Sequence, residues 1–425
     1  MLLSNCRLAD GRTGMHVLVR GERVAAILDA PVPDPEVVDL GGALLLPALT
    51  DFHLHLDKSL FGLPWMPHAA GPDRMSRIET DARVLPGLPV EPRATAMLRR
   101  CLAAGSVHFR SHVDITPAFG LRNLEGVLAV KAAHAGMCHI QTVAFPQAGV
   151  MRAPGTLALL EEALRQGAEV LGGLDPCEVD RDPKGQLDAI FGLAGRHGVG
   201  LDIHLHEAGE LGLFSIAEIC ARTRALGMQG QVWVSHGFAL GAAPEGKLMA
   251  AAADMAGAGV GLVSHGAGAA PLPPLLRLAE AGVPVALGND NMRDTWGPYG
   301  TGDMLERAAI IGWRLDARTD AAMERVFGWV VESGARAMGV EVPAVAVGGV
   351  ASFVSVAAEG VAEAVAQHAK RGLVVFRGRV AWHPENHCLD SAPAGSVRNS
   401  VCVRSVERHG QARALVKRWP NRTAN

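Results

Sequence analysis

LLLPALTDFHLHLDKS, residues 44–59, is an apolar run that ends in two histidines separated by one residue. On a β-strand, residues i and i+2 point to the same face, so His53 and His55 project together from the strand's C-terminal end. Neutral imidazole is the commonest protein ligand for zinc and also suits iron, and two imidazoles make half of a metal site. Taken alone, the pair is explained equally well as the polar end of a strand. The rest of the chain separates the two readings.

From Leu44 onward a beat begins in which a β-type apolar run, an amphipathic helix and a glycine follow one another. The glycines are Gly105, Gly136, Gly167, Gly198, Gly227, Gly259 and Gly282, spaced mostly about thirty residues apart, the size of a βα unit. Between them, Ala94, Met97, Leu98, Cys101 and Leu102 form an i, i+3, i+4, i+7 stripe, as do Leu187, Ile190, Phe191 and Ala194, and Ile216, Ile219, Cys220 and Thr223. After the glycines come the strand candidates VHFRSHVD, HIQTVAFPQ, VLGGLDP, GLDIHLHE, QVWVSH, GVGLVSH and VPVALGND, eight with the His53 run. Eight strands alternating with helices specify a (β/α)8 TIM barrel, whose active site lies at the C-terminal strand ends. An open doubly wound sheet is the alternative, but no G-x-G-x-x-G turn follows the first strand. Polar residues collect where a barrel puts its chemistry: His53 and His55, His112 and Asp114, Gln147, His204, His206 and Glu207, His236, His265, Asp290 and Asn291.

The two ends of the chain have another texture. Short β-type runs such as HVLVRGERVAAIL and GLVVFRGRVAW alternate with turn residues, so residues 1–45 and 340–425 are expected to pair into one small β-sandwich beside a barrel of residues 46–339. A basic tail from Arg398 to Arg422 reads as a solvated end or a subunit contact.

The chain has 425 residues, 49% of them apolar, with a formal net charge of -3, which argues against disorder and against nucleic acid as a partner. Its seven cysteines are dispersed and lack a C-x-x-C pair, unlike a disulfide framework or a thiolate zinc site. No leader-like N-terminus and no run of membrane-spanning length is evident, and a soluble cytoplasmic protein is expected.

A barrel brings His53, His55, His204 and Asp290 to one end, a set that leaves room for water on one divalent ion, zinc or iron. Such an ion would lower the pKa of its water from about 15.7 toward roughly 7 and so supply a nucleophile at neutral pH. Glu207 reads as a general acid within reach of a substrate, and His236 as the group that orients the attacking oxygen. Each also has a plain structural role open to it. His206 shares the strand face of His204 and either lines the pocket or fills the barrel, and His112 and Asp114 read as pocket floor or packing. Cys177 has no basic neighbour in sequence and is not expected to be a nucleophile. A second metal would call for a bridging group after the fourth strand, where the nearest lysine is Lys184, well into the loop.

HLHLD, SHVD, VAFPQ followed by Gly149, the His and Glu of IHLHE, SH at His236 and NDNMRDTWGPYGTGDM together resemble the amidohydrolase superfamily, and within it the cytosine deaminase group, over nearly the whole chain. The resemblance implies a barrel with a flanking β-sandwich, one divalent metal, and hydrolytic release of ammonia or an amine from a cyclic amidine by metal-activated hydroxide. It makes His53, His55, His204 and Asp290 the ligands, Glu207, His236 and Asp290 the catalytic groups, Gln147 the contact to the ring's amide edge and Trp296 a pocket wall. Asn291 and His265 join the substrate contacts.

The sequence departs from cytosine deaminases at Asn289, Asn291 and His206, where those enzymes have histidine, aspartate and aspartate. Its GGLDP, GLFSI and DNMRDTWGPYGTGDM segments are similar to the N-isopropylammelide amidohydrolases of s-triazine breakdown, which carry aspartate at the position of Glu207. An aminopyrimidine or amino-s-triazine ring is therefore the expected substrate. A cyclic amide or lactone hydrolase on the same metal site is the alternative, and a homo-oligomer is expected by analogy with the family.

Overall fold

The computed structural model describes residues 1–71 and 73–387, so the basic tail, and with it residues 388–425 of the last segment assigned to the sandwich, lies outside the described residues. The chain opens with β1 (Leu2–Cys6), β2 (Met15–Arg20), β3 (Arg23–Leu28) and β4 (Val37–Asp39), which form a sheet in the order β3-β2-β1-β4. The apolar run from Leu44 is then divided between two sheets. β5 (Leu44–Pro47) stays with the flanking layers, and β6 (Leu49–Leu54) enters the barrel. Pro47 has no N–H and cannot continue a ladder as donor. The next two amides part company: Ala48 N–H donates to Ser352 O at 3.0 Å and Leu49 N–H to Gly105 O at 2.9 Å.

The barrel strands β6, β7 (Ser106–Asp114), β8 (His139–Phe145), β9 (Val170–Leu174), β10 (Gly200–Leu205), β11 (Val232–His236), β12 (Val260–Ser264) and β13 (Val285–Leu287) are parallel and lie in chain order. They are the eight candidate runs read from the sequence. The intervening helices turn their apolar stripes inward: Met97, Leu98, Leu187, Ile190 and Ile219 are all buried against the strands. Gly198 ends its helix at a φ of 66°, a left-handed position that glycine enters without penalty.

Beyond the barrel, a helix over Asp320–Gly328 runs into a wider turn at Trp329–Ser333 and a further turn at Gly334–Ala337. Strands β14 (Phe353–Val356), β15 (Arg371–Phe376) and β16 (Arg379–Trp382) then complete the second flanking sheet, β16-β15-β14-β5. Leu3, Val17 and Val19 from the first end of the chain pack with Phe353, Leu373 and Val375 from the other, so both ends share one apolar core.

Closure of the barrel depends on β13 meeting β6. Leu54 bridges Asp290 in parallel, and Asp290 N–H donates to His53 O at 2.7 Å. A Cβ at Gly288 would lie 2.5 Å from both His53 N and His53 Cβ, inside any permitted contact. Only a residue without a side chain lets the last strand come this close. Gly288→Ala is therefore expected to lower the unfolding free energy by at least about 2 kcal/mol, measured by denaturant titration, because overpacking at a backbone contact cannot be relieved by a rotamer change.

Candidate metal centre and cavity

The closing contact also builds the centre of the site. Asp290 follows β13 at a φ of 60° and His236 ends β11 at a φ of 77°, both in the left-handed region that non-glycine residues seldom occupy outside functional sites. The Asp290 carboxylate faces the first strand, with Oδ1 at 3.4 Å from His53 Nε2 and 3.3 Å from His55 Nε2. His204 of β10 and His236 complete the cluster, their ring centroids 4.6 Å and 5.2 Å from that of His53. The donor atoms of His53, His204, His236 and Asp290 all lie within 4.8 Å of one another. His55 joins the group through Asp290, and five donors thus converge where the sequence placed four ligands and an orienting histidine.

Burial fixes the charge state of this cluster. It drives His55 down to about 3 and His204 and His236 well below the ordinary imidazole range, with neighbouring histidines adding to the effect. Burial alone would raise Asp290, yet the close approach of His53 and His55, with His265 and His236 behind them, holds its carboxyl well below the usual value. Neutral imidazoles around one carboxylate are the protonation states that a divalent cation requires. His53 Nε2 and both ring nitrogens of His204 and His236 are buried without a hydrogen-bond partner. Each such orphan costs about 1–3 kcal/mol, and a cation would relieve several at once, so the residues fit a metal.

The network behind His53 sets its tautomer. Ser235 O–H donates to Asp202 Oδ1 at 2.6 Å, and Ser235 Oγ stands 2.9 Å from His53 Nδ1. The serine proton is already committed, so His53 Nδ1 carries the hydrogen and Nε2 presents its lone pair to the cluster. Asp202 is held in turn by Arg110 at 3.0 Å, and the Arg110 guanidinium lies 4.0 Å over the Phe52 ring. His112 sits beneath the cluster, 4.0 Å between its ring centroid and that of His53.

Above the cluster opens a cavity of about 380 Å³. His55, His204 and Asp290 are part of its floor, and Gln147, His265, Asn291 and Trp296 line its walls. His265 accepts from Ala267 N–H through Nδ1 at 3.2 Å and turns Nε2 toward Asp290 Oδ2, 3.7 Å away. Asn291 Nδ2 donates to the buried Asp294, whose other oxygen accepts from Trp296 N–H and Gly297 N–H.

Glu207 departs from its expected place. It is fully buried and absent from the cavity wall. Its Oε1 accepts from Cys177 N–H at 2.6 Å and Glu178 N–H at 3.0 Å, and its Oε2 accepts from Ser215 O–H at 2.5 Å. Burial raises its carboxyl above the ordinary value, against the pull of these donors. The physical reason is that β10 ends at Leu205, so strand alternation no longer governs Glu207, and the backbone N–H groups of Cys177 and Glu178 and the Ser215 hydroxyl draw its carboxylate behind the wall. His206 occupies the wall instead. Its Nδ1 lies 2.8 Å from Asp175 Oδ2, leaving Nε2 for the cavity, and its ring stacks on His236 at 4.3 Å.

Three groups were not singled out by sequence reasoning. Lys58 lines the cavity although it is almost wholly buried, and its position directly after HLHLD was a visible signal. Asp175, in GGLDP, holds His206 from a left-handed φ of 36°. Asp81 lies on a helix at Arg74–Val84 inserted after the first barrel strand, where the sequence carries no motif.

A model of the amidohydrolase family matches residues 36–381. The solved N-isopropylammelide isopropylaminohydrolase of Burkholderia multivorans superposes with a TM-score of 0.85 at 42% identity, over 89% of this chain and 97% of that one. N-isopropylammelide isopropyl amidohydrolase from Pseudomonas sp. (strain ADP) is 29% identical over 394 residues, 89% of this chain and 96% of the relative. The structure of 5-methylcytosine deaminase from Klebsiella pneumoniae, at 24% identity and a TM-score of 0.78 over 90% of this chain and 98% of that one, shares the fold. Matched over most of its length, with the barrel and the His/Asp cluster in place, the chain belongs to the amidohydrolase family.

Proposed function

We propose that the chain is a metal-dependent hydrolase that releases ammonia or an amine from a cyclic amidine, an aminopyrimidine or amino-s-triazine ring. The observation that carries this reading is the buried set of unpartnered, neutral imidazoles around Asp290 at the floor of a cavity of ring size. The relatives that act on N-isopropylammelide support the substrate class.

His53, His55, His204 and Asp290 would hold one divalent ion, zinc or iron. A bound divalent ion lowers the pKa of water toward about 7 and supplies the nucleophile. Lys184, the lysine nearest the fourth strand, pairs with Asp188 on the exposed side of its helix, which supports the reading of a single ion. His236 orients the attacking water from within the cluster, where its ring lies between those of His206 and His265. Gln147, Asn291 and Trp296 hold the ring so that its amine-bearing carbon faces the cluster. Asp290 accepts a proton from the water at Oδ2, the oxygen turned away from His53. His206, oriented by Asp175 through Nδ1, receives that proton at Nε2 and passes it to the departing nitrogen as the C–N bond breaks, and the second water proton passes to the adjacent ring nitrogen. The ring carbon gains an oxo group and loses its amine, and water supplies every atom added.

Amine or ammonia release from metal-replete protein, measured over cytosine, ammelide, N-alkylammelides and aminopterins with Asp290→Ala as the blank, tests the reading. Turnover that vanishes in the blank is expected; silence across the panel with metal bound would overturn it. Chelation is expected to abolish turnover and zinc or iron to restore it, and free metal at a hundred times Kd should add about 2.7 kcal/mol to the unfolding free energy. His206→Asn should cost about 10²–10⁴ in kcat, the range of a lost acid–base group, with metal content unchanged by elemental analysis. Glu207→Gln should keep metal and at least about a tenth of kcat, because a glutamine can accept the two backbone N–H groups and donate to Ser215 Oγ. A loss as large as that of His206→Asn would return the proton shuttle to Glu207.

A further inference from the structure

Behind the wall that Gln147, Lys58 and Trp296 present to the cavity lies one fully buried carboxylate, Asp81. Its Oδ2 accepts from Gln147 Nε2 at 2.6 Å and from Trp296 Nε1 at 2.8 Å, and it lies 3.6 Å from Lys58 Nζ. Its Oδ1 accepts from the Thr295 hydroxyl. Asp81 thus faces four donors contributed by the ends of three different barrel strands. A carboxylate among four donors can only accept. Gln147 must therefore turn its amide nitrogen toward Asp81, and its Oε1 is the end left for the cavity. Lys58, held between the Phe145 and Trp296 rings at 5.4 Å and 5.5 Å, is the neighbouring donor.

The geometry points to Asp81 as the positioning residue that sets the hydrogen-bonding sense of the ring site: an acceptor at Gln147 beside a donor at Lys58, which takes a ring edge offering N–H next to C=O. This rests on the deaminase reading above and adds to it a rule of selection. An edge with the opposite sense, a ring nitrogen lone pair beside an amino group, would set lone pair against Oε1 and N–H against the ammonium. Buried polar groups left unpaired in this way reject a ligand far more strongly than a missing methyl group does. Asp81 reaches all of its partners because its helix is anchored over the cavity. Asp73 caps the helix by accepting from Ser76 N–H at 2.9 Å, and Ile78, one turn before Asp81, packs with Phe145, Leu174 and Trp296.

The test compares an N-alkylammelide, whose ring carries N–H beside C=O, with the N-alkylmelamine in which amino groups replace the oxo groups. Wild-type, metal-replete protein is expected to prefer the oxo ring by at least about a hundredfold in kcat/KM. In Asp81→Ala the preference should shrink to within about tenfold, through a rise in KM for the oxo ring, with metal content unchanged and kcat held within about threefold. Asp81→Asn should restore it, since the asparagine carbonyl can serve Gln147 and Trp296 while its amide donates to Thr295 Oγ1. Should the alanine variant not accumulate, Lys58→Met removes the paired donor from the same edge and should shrink the preference likewise. Turnover without preference in the wild type, a preference retained in Asp81→Ala or Lys58→Met, or a loss in Asp81→Asn equal to that in Asp81→Ala would each overturn the proposal and leave the deaminase reading standing. Absence of turnover with either ring and with cytosine would overturn both.

Discussion

The contact between the last barrel strand and the first is the constraint on which the rest depends. Asp290 donates its backbone N–H to His53 O and turns its carboxylate onto His53 and His55, so the bond that closes the barrel also assembles the metal centre. Gly288 makes the approach possible by presenting nothing to His53. A site built this way cannot be displaced without opening the barrel, and the barrel cannot close with the two histidines misplaced. Positive φ at Asp290 and His236 is tolerated there because the surrounding strands fix both residues.

The barrel interior is polar where most cores are not. A line of groups runs from the cluster through Ser235 and Asp202 to Arg110, each satisfied by the next. Removing one member would leave a buried charge unpaired, which costs about 3–5 kcal/mol. That line orients His53 from behind, as the Asp175 carboxylate orients His206 and the Asp81 carboxylate orients Gln147. In each case a carboxylate that does not touch the substrate site decides which atom of its neighbour does.

Glu207 and His206 show how a sequence pattern and a geometry can part. The H-x-x-E spacing suggested a carboxylate within reach of the substrate, but the strand ends at Leu205, and in the turn that follows His206 lines the cavity while Glu207 is taken up by the backbone of Cys177 and Glu178. The glutamate braces the turn after β9, and the adjacent turn residue Asp175 in turn grips His206. Neighbouring residues of one turn thus take opposite roles across the same wall.

The sequence by itself determined the eight-strand order, the helix faces, the shared β-layers of the two chain ends and the convergence of His53, His55, His204, His236 and Asp290, because strand and helix periodicities are local and a closed barrel leaves one place for strand ends to meet. It did not determine where the run after Leu44 passes from one sheet to the other, because β5 and β6 are equally apolar and only their partners, Ser352 and Gly105, distinguish them. Nor did it show Asp81, Asp175, Asp202 or Lys58 at work. Their meaning lies in contacts between residues distant in the chain, such as Asp81 with Gln147 and Trp296. A hydrogen bond of this kind has no period, and only the tertiary structure decides which donor a buried carboxylate will meet.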